Sequence, residues 1–169
     1  MYDLDLSIII VNWNARSYLG ACLDSIIAET PNLQYEICVV DNASRDGSVE
    51  WLRQAYPHVH VIANQKNLGF AQANNQGIRW AQGRHRLLLN PDTVITDRAL
   101  EKLVNYLDKH PQVGIVGPRL SSPDGQIQGG AAGFDPSLRT VFNYHFCLSY
   151  LFPRHFPGLW LSPRRYKDP

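Results

Sequence analysis

Short apolar runs alternate with helical-period stripes through most of the chain. Leu6 to Val11 (LSIIIV) is a continuous run rich in isoleucine and valine, the pattern of a strand buried on both faces. Leu19, Cys22, Leu23, Ile26 and Ile27 then recur at helical spacing and form one apolar stripe. Tyr35 to Val40 (YEICVV) predicts a second buried strand. Ser44 or Asp46 is placed to cap the helix that carries Val49 and Leu52 to the core. Val59 to Ala63 predicts a third, shorter strand, and a helix follows over residues 70–81 with Gly83 just past its end. Arg86 to Leu89 predicts a fourth strand. Thr96 or Asp97 opens a helix with a core face of Leu100, Leu103, Val104 and Leu107, and Val113 to Val116 predicts a fifth strand. Strands alternating with helices of this length predict right-handed crossovers. The fold class is therefore α/β and Rossmann-like, a mostly parallel sheet with helices on both faces.

The regularity stops near Leu120. Ser121 to Gly125 reads as a turn, Gly129 to Gly133 as a glycine- and alanine-rich loop, and the tail from Val141 mixes aromatics, prolines and arginines. The chain has 169 residues, 44% of them hydrophobic, and a formal charge of +1. That balance excludes disorder and removes the electrostatic case for nucleic-acid binding. Cys22, Cys38 and Cys147 form no C-x-x-C pair, so they read as thiols in a reducing compartment rather than as a zinc site or disulfide framework. The acidic start lacks a secretory signal, and no apolar run reaches the ~20 residues of a membrane span, so a cytoplasmic location is expected. The six histidines show no metal-ligand spacing.

In a parallel sheet, ligands collect beyond the carboxyl ends of the strands. Here the first strand runs into Asn12-Trp13-Asn14, the second into Asp41-Asn42-Ala43-Ser44 and the fourth into Asn90-Pro91-Asp92. The third is followed by Asn67-Leu68-Gly69-Phe70 at a helix start. Any one of these is an ordinary turn sequence; together they put polar groups along one rim. No G-x-G-x-x-G follows the first strand, and neither a P-loop nor a G-x-S-x-G elbow occurs. A phosphoacceptor receiver domain would need acids where Asn12 and Asn14 stand.

Leu6 to Asn14, Tyr35 to Ser48, Asn67 to Gly77 (NLGFAQANNQG), Leu87 to Thr93 (LLLNPDT) and Val113 to Leu120 resemble, in order and spacing, successive motifs of family 2 glycosyltransferases. More narrowly they resemble the rhamnosyltransferase-like branch that makes bacterial surface polysaccharides. The resemblance implies an A-type glycosyltransferase fold, with residues 1–125 as the nucleotide-sugar binding core and 126–169 as the start of an acceptor-side region. It implies that Val11, Asn12, Asn14 and Asp41 hold the nucleotide base and ribose of dTDP-rhamnose or a UDP-sugar. Asn67, Gly69 and Asn75 would line the diphosphate side.

Asn90-Pro91-Asp92 stands where the family carries its acidic metal motif. Asp92 would ligate a divalent cation, Mg2+ or Mn2+, while Asn90, uncharged where the motif is acidic, would contact the donor. The implied activity is inverting sugar transfer to a saccharide or lipid-linked acceptor. The family's general base lies in a downstream acidic pair that this sequence does not contain, so that base is expected beyond Pro169. The alternative reading is a non-catalytic nucleotide-sugar-binding module. Gly133-Phe134-Asp135 lies too close to Asn90 to be the family's later acidic segment. The aromatic and arginine-rich residues 141–166 suit packing against further chain, or peripheral contact with the inner face of a membrane.

Overall fold

The structure, a computed structural model, describes residues 3–122, 124–128, 137–146, 151 and 155. The chain divides into two compact units, Met1–Val116 and Gly117–Pro169. The first unit runs β1 (Leu6–Asn12), α1 (Arg16–Glu29), β2 (Tyr35–Asp41), α2 (Ser48–Ala55), β3 (His60–Ala63), α3 (Phe70–Trp80), β4 (His85–Leu89) and α4 (Ala99–Lys109). All pairings are parallel, in the order β3-β2-β1-β4. In the second unit a turn at Ser122–Gln126 brings Ser121 opposite Ile127, as the sequence predicts. The helix α5 (Leu138–His145) lies where no regular element is predicted.

β1 is the spine of the sheet because it is apolar on both faces. Ile8 and Ile10 pair in register with Ile37 and Val39 and pack with Leu19, Leu23, Ile26, Leu52, Leu100 and Val104 from α1, α2 and α4. The alternate positions, Cys38 and Val40 with Val11 and Ile62, meet Ala73 and Trp80 of α3 on the opposite face. Full burial of each isoleucine is worth about 1.5–3 kcal/mol, so β1 alone supplies much of the core's free energy. α3 lies close against β1 at Gly77, where a Cβ would stand 2.4 Å from Ile9 Cγ2. Ile9 is β-branched and fully buried, so it has no room to yield.

Two local expectations change, and a third resolves between its two alternatives. Val113 to Val116 is not a strand: it joins no ladder, and Ile115 is 92% exposed. A four-residue run with a glycine inside gains few ladder bonds and carries glycine's entropic cost. Neither Thr96 nor Asp97 caps α4; Asp97 bonds Lys102 instead, and Glu29 of α1 accepts the Arg98 N–H at 3.0 Å. Ser44 leaves capping to Asp46, whose carboxylate accepts the Ser48 and Arg16 N–H groups at 3.1 and 3.0 Å. Burial opposes ionisation of Asp46, but bonds from the Ser48 hydroxyl and from those two amides outweigh it and hold its pKa below the usual value.

At the other end of the sheet, Arg84 bridges Asp5 and Asp108 at 2.8 and 2.6 Å, and His85 Nε2 lies 2.9 Å from the same Asp108 oxygen. His85 and Arg84 together hold Asp108 below the ordinary carboxylate range. A depressed carboxylate stabilises the fold above its unfolded pKa of about 4 and loses that contribution as pH falls through the folded value. Asp108→Asn is therefore expected to flatten the acid limb of stability below about pH 4, measured as the urea midpoint against pH.

Candidate functional site

The chain passes outward from β1 to β2 to β3, then crosses back to lay β4 on the other side of β1. The carboxyl ends of β1 and β4 thus bracket a topological switch point, the usual ligand position in such sheets. Asn12 to Asn14 stand at one lip and Asn90 to Asp92 at the other.

The β1 lip is a closed network. Asn12, 0% exposed, donates from Nδ2 to Asp41 Oδ2 at 2.7 Å and to Ser44 Oγ at 3.1 Å. Asp41, 1% exposed, takes the Ser44 N–H on its other oxygen at 2.9 Å. Asn14, in the left-handed region at φ 53°, donates its N–H to Ser44 Oγ and accepts the Arg45 N–H on Oδ1. Asn12, Asn14 and Asp41 are thereby brought together around Ser44. Asn12 and Asp41 act inward on this loop, while Asn14 and the exposed Trp13 face out. Among the described residues Asn12 Oδ1 is the one buried side-chain oxygen or nitrogen with no hydrogen-bond partner. Val11 packs its side chain with Cys38, Val40 and Ala73, so only its backbone is available to a ligand.

Asn42 organises the neighbouring loop. Its Nδ2 donates to Asn67 Oδ1 at 3.0 Å and to the Gly69 carbonyl at 3.3 Å. Its Oδ1 accepts from the Leu68 N–H and from Asn64 Nδ2. Asn67 Oδ1 also takes the Gly69 N–H at 2.8 Å. Asn64 and Gln76 exchange a reciprocal pair of amide bonds at 2.9 and 3.0 Å, fastening the loop to α3. Gly69 precedes α3 with φ 81° and ψ 164°, a conformation open essentially to glycine alone. α3 has no acidic side chain in its first turn, so the positive end of its dipole is left uncompensated. Asn75 makes none of these bonds and lines a polar groove with Leu68, Gln72, Gln76 and Arg79.

Asn90 to Thr93 form a turn closed by the Thr93 N–H on the Asn90 carbonyl at 3.2 Å, with Pro91 at the position where its fixed φ fits. Asn90 and Asp92 are exposed, and among the described residues no hydrogen bond or ion pair engages the Asp92 carboxylate. Beneath the turn lies Cys22, its Sγ 3.8 Å from the Asn90 carbonyl oxygen. Burial, then the Asp92 charge, push the Cys22 thiol up to about 12, so it stays protonated and donates. No group of three or more His, Cys, Asp or Glu side chains gathers among the described residues. One free carboxylate suits a hard cation that takes its remaining oxygens from water and a phosphate substrate, as Mg2+ does; it does not suit an all-protein cage. A cation of that kind would take Asp92 as its protein ligand here.

Residues 7–151 match the family model described as glycosyl transferase family 2. The chain belongs to that family. Minor teichoic acid biosynthesis protein GgaB of Bacillus subtilis (strain 168) is 30% identical over 113 residues, 64% of this chain and 13% of GgaB. Among solved structures, S. aureus TarS (residues 1–349) superposes with a TM-score of 0.58 at 22% identity, over 64% of this chain and 33% of that one. TarS has also been solved in complex with UDP and with UDP-GlcNAc. The mannosyltransferase PcManGT from Pyrobaculum calidifontis, in complex with GDP-Man and Mn2+, matches with a TM-score of 0.55 at 24% identity over 63% of this chain and 35% of that one. These likenesses establish the A-type glycosyltransferase fold. The matched stretch spans at most 37% of the length of the first three curated relatives.

Sequence reasoning on this family 2 chain passes over the side chains that hold the rim together. Asn42 reads as one more turn residue, yet its N–H continues the ladder to the Asn12 carbonyl at 2.8 Å beyond the last strand pair. A run of consecutive polar residues directly after the apolar Ile37–Val40 of β2 was the available signal. Cys22 reads as core, and nothing in its spacing points to the Asn90 turn. Asp135 lies outside the described residues, as does Cys147.

Proposed function

We propose that residues 1–125 form the donor-binding core of a glycosyltransferase that takes a pyrimidine nucleoside-diphosphate sugar, with 126–169 beginning the acceptor side. Within the rhamnosyltransferase-like reading the sugar is dTDP-rhamnose; the TarS complexes with UDP and UDP-GlcNAc support a UDP-sugar equally. GgaB's role in minor teichoic acid biosynthesis supports a saccharide or lipid-linked acceptor in surface polysaccharide assembly. Such acceptors lie at the inner face of the membrane, where this enzyme would work from the cytoplasm; no described helix is long and apolar enough to cross it.

In the proposed reaction the acceptor hydroxyl oxygen attacks the anomeric carbon opposite the diphosphate. The carbon–oxygen bond to the diphosphate breaks, the nucleoside diphosphate leaves with the electron pair, and the hydroxyl proton passes to a base. No described residue is assigned as that base. The backbone of Val11 to Asn14 orients the nucleotide base and ribose, and Asp41, its two oxygens taken by Asn12 and Ser44, acts by holding that lip in shape rather than by touching the donor. Asn67, the backbone at Gly69 and the start of α3 receive diphosphate charge, with Asn75 extending that side along the groove. Asn90 contacts the donor beside Asp92. Asp92 would hold Mg2+ or Mn2+, which when bound neutralises charge on the leaving diphosphate.

The observation that carries this reading is the exposed Asp92 carboxylate at the switch point, without a hydrogen bond or ion pair among the described residues, on a turn held at the Asn90 carbonyl by the Thr93 N–H and Cys22. Calorimetric titration is the test. UDP or dTDP is expected to bind more tightly with Mn2+ than without, and both more tightly than GDP. Absence of binding by every nucleotide would overturn the reading.

A further inference from the structure

The loop that carries Asp92 is fastened along one stripe of α1. Cys22, Ser25 and Glu29 are spaced i, i+3 and i+7, which puts them on one side of the helix. Each takes a backbone group of the segment from Asn90 to Arg98. Cys22 Sγ lies 3.8 Å from the Asn90 carbonyl, Ser25 Oγ accepts the Ile95 N–H at 2.9 Å, and Glu29 Oε2 accepts the Arg98 N–H at 3.0 Å. The Ser25 hydroxyl has its own proton committed to the Cys22 carbonyl at 2.7 Å, so a lone pair is left to meet the Ile95 amide. Ile95 is itself buried. The contact therefore fixes the loop at its middle while the other two fix its ends.

The same helix begins at the other lip of the switch point, where the Arg16 N–H is held by Asp46 at 3.0 Å. α1 is thus the rigid link between the turn that ends β1 and the turn that ends β4. We propose that Ser25, supported by Glu29, is a positioning residue for donor binding. It sets the place of the Asp92 carboxylate relative to the Asn12–Asn14 lip without itself touching a ligand. This rests on the reading of Asp92 as a cation ligand. A side chain that orients a metal ligand from behind commonly affects metal affinity by about 10–100-fold when removed.

The test compares the full chain with Ser25→Ala, Ser25→Thr and Glu29→Ala, using UDP and Mn2+ as probes. Two quantities are read: amide hydrogen exchange over residues 90–98, and UDP affinity with and without Mn2+. Ser25→Ala is expected to raise exchange across the loop and to cut the Mn2+-dependent affinity by about tenfold or more, with metal-free affinity unchanged. Ser25→Thr, which keeps the hydroxyl, should restore both. Glu29→Ala alters the half-buried last residue of α1, which is not part of the apolar core, and should reproduce the effect more weakly. Unchanged exchange in Ser25→Ala, or faster exchange with Mn2+-dependent affinity intact, would overturn the positioning role. A parent chain whose UDP affinity is indifferent to Mn2+ would overturn the reading of Asp92 and the proposal with it, and it is recognised before any variant is made.

Discussion

Asp92→Ala is expected to abolish the Mn2+-dependent increment of UDP affinity while leaving metal-free affinity and thermal stability nearly unchanged. The two halves of that expectation have different causes. The carboxylate is exposed and makes no hydrogen bond or ion pair among the described residues, and a surface change of that kind usually shifts stability by no more than about 0.5 kcal/mol. The turn keeps its shape without it, since Pro91, the Thr93 N–H and Cys22 act on the backbone. For a cation, by contrast, Asp92 is the one acid on this lip of the rim. Changes behind a ligand already cost about 10–100-fold, so loss of the ligand itself should exceed about a hundredfold. Asp92→Asn, which keeps a neutral oxygen, should fall between. A titration in which Asp92→Ala retained the full Mn2+ effect would remove Asp92 from that role.

The contrast between what sequence revealed and what it concealed follows from the range of the interactions. β1 and β2 are legible because each is a continuous apolar run, and burial on both faces requires nothing more than that composition. α1 and α4 are legible because an apolar stripe at helical period has one way to face a sheet. Val113 to Val116 misled for the same reason in reverse. Its composition is that of a strand, but composition does not say whether a partner edge receives it. At the rim, the kinds of residue were visible and their directions were not. Asn12 and Asp41 stand at the ends of neighbouring strands, and alternation alone cannot tell whether such side chains turn to a ligand or to each other. Here they bond each other. Ser25 and Glu29 were harder still, because the partners they meet are backbone groups about seventy positions away, and a backbone amide leaves no trace in the sequence.

The buried pair at the centre of the rim yields the largest expected loss of stability. Asp41 accepts from two donors, Asn12 Nδ2 at 2.7 Å and the Ser44 N–H at 2.9 Å, one on each oxygen. Asp41→Asn preserves shape but replaces one acceptor with an NH2 group. While the Asn12 amide keeps its present orientation, one buried donor then faces another donor whichever way the new amide turns. The lost charge-assisted bond is worth about 1.5–3 kcal/mol and the stranded donor about 1–3 kcal/mol. Together these come to about 2.5–6 kcal/mol, a large part of an ordinary domain's 5–15 kcal/mol. Asp41→Ala should be the milder change, although it removes more atoms, because the space it opens admits a water that both donors can share. The order of urea midpoints is therefore expected to be parent, then Ala, then Asn. In the folded fraction of either variant the Ser44 loop loses its anchor. Asn14, held through Ser44 Oγ, loses its own with it, so nucleotide affinity should fall even without Mn2+. Asp41→Asn as stable as the parent would mean that the carboxylate does not serve both donors, and the β1 lip would then need another account of how it keeps its form.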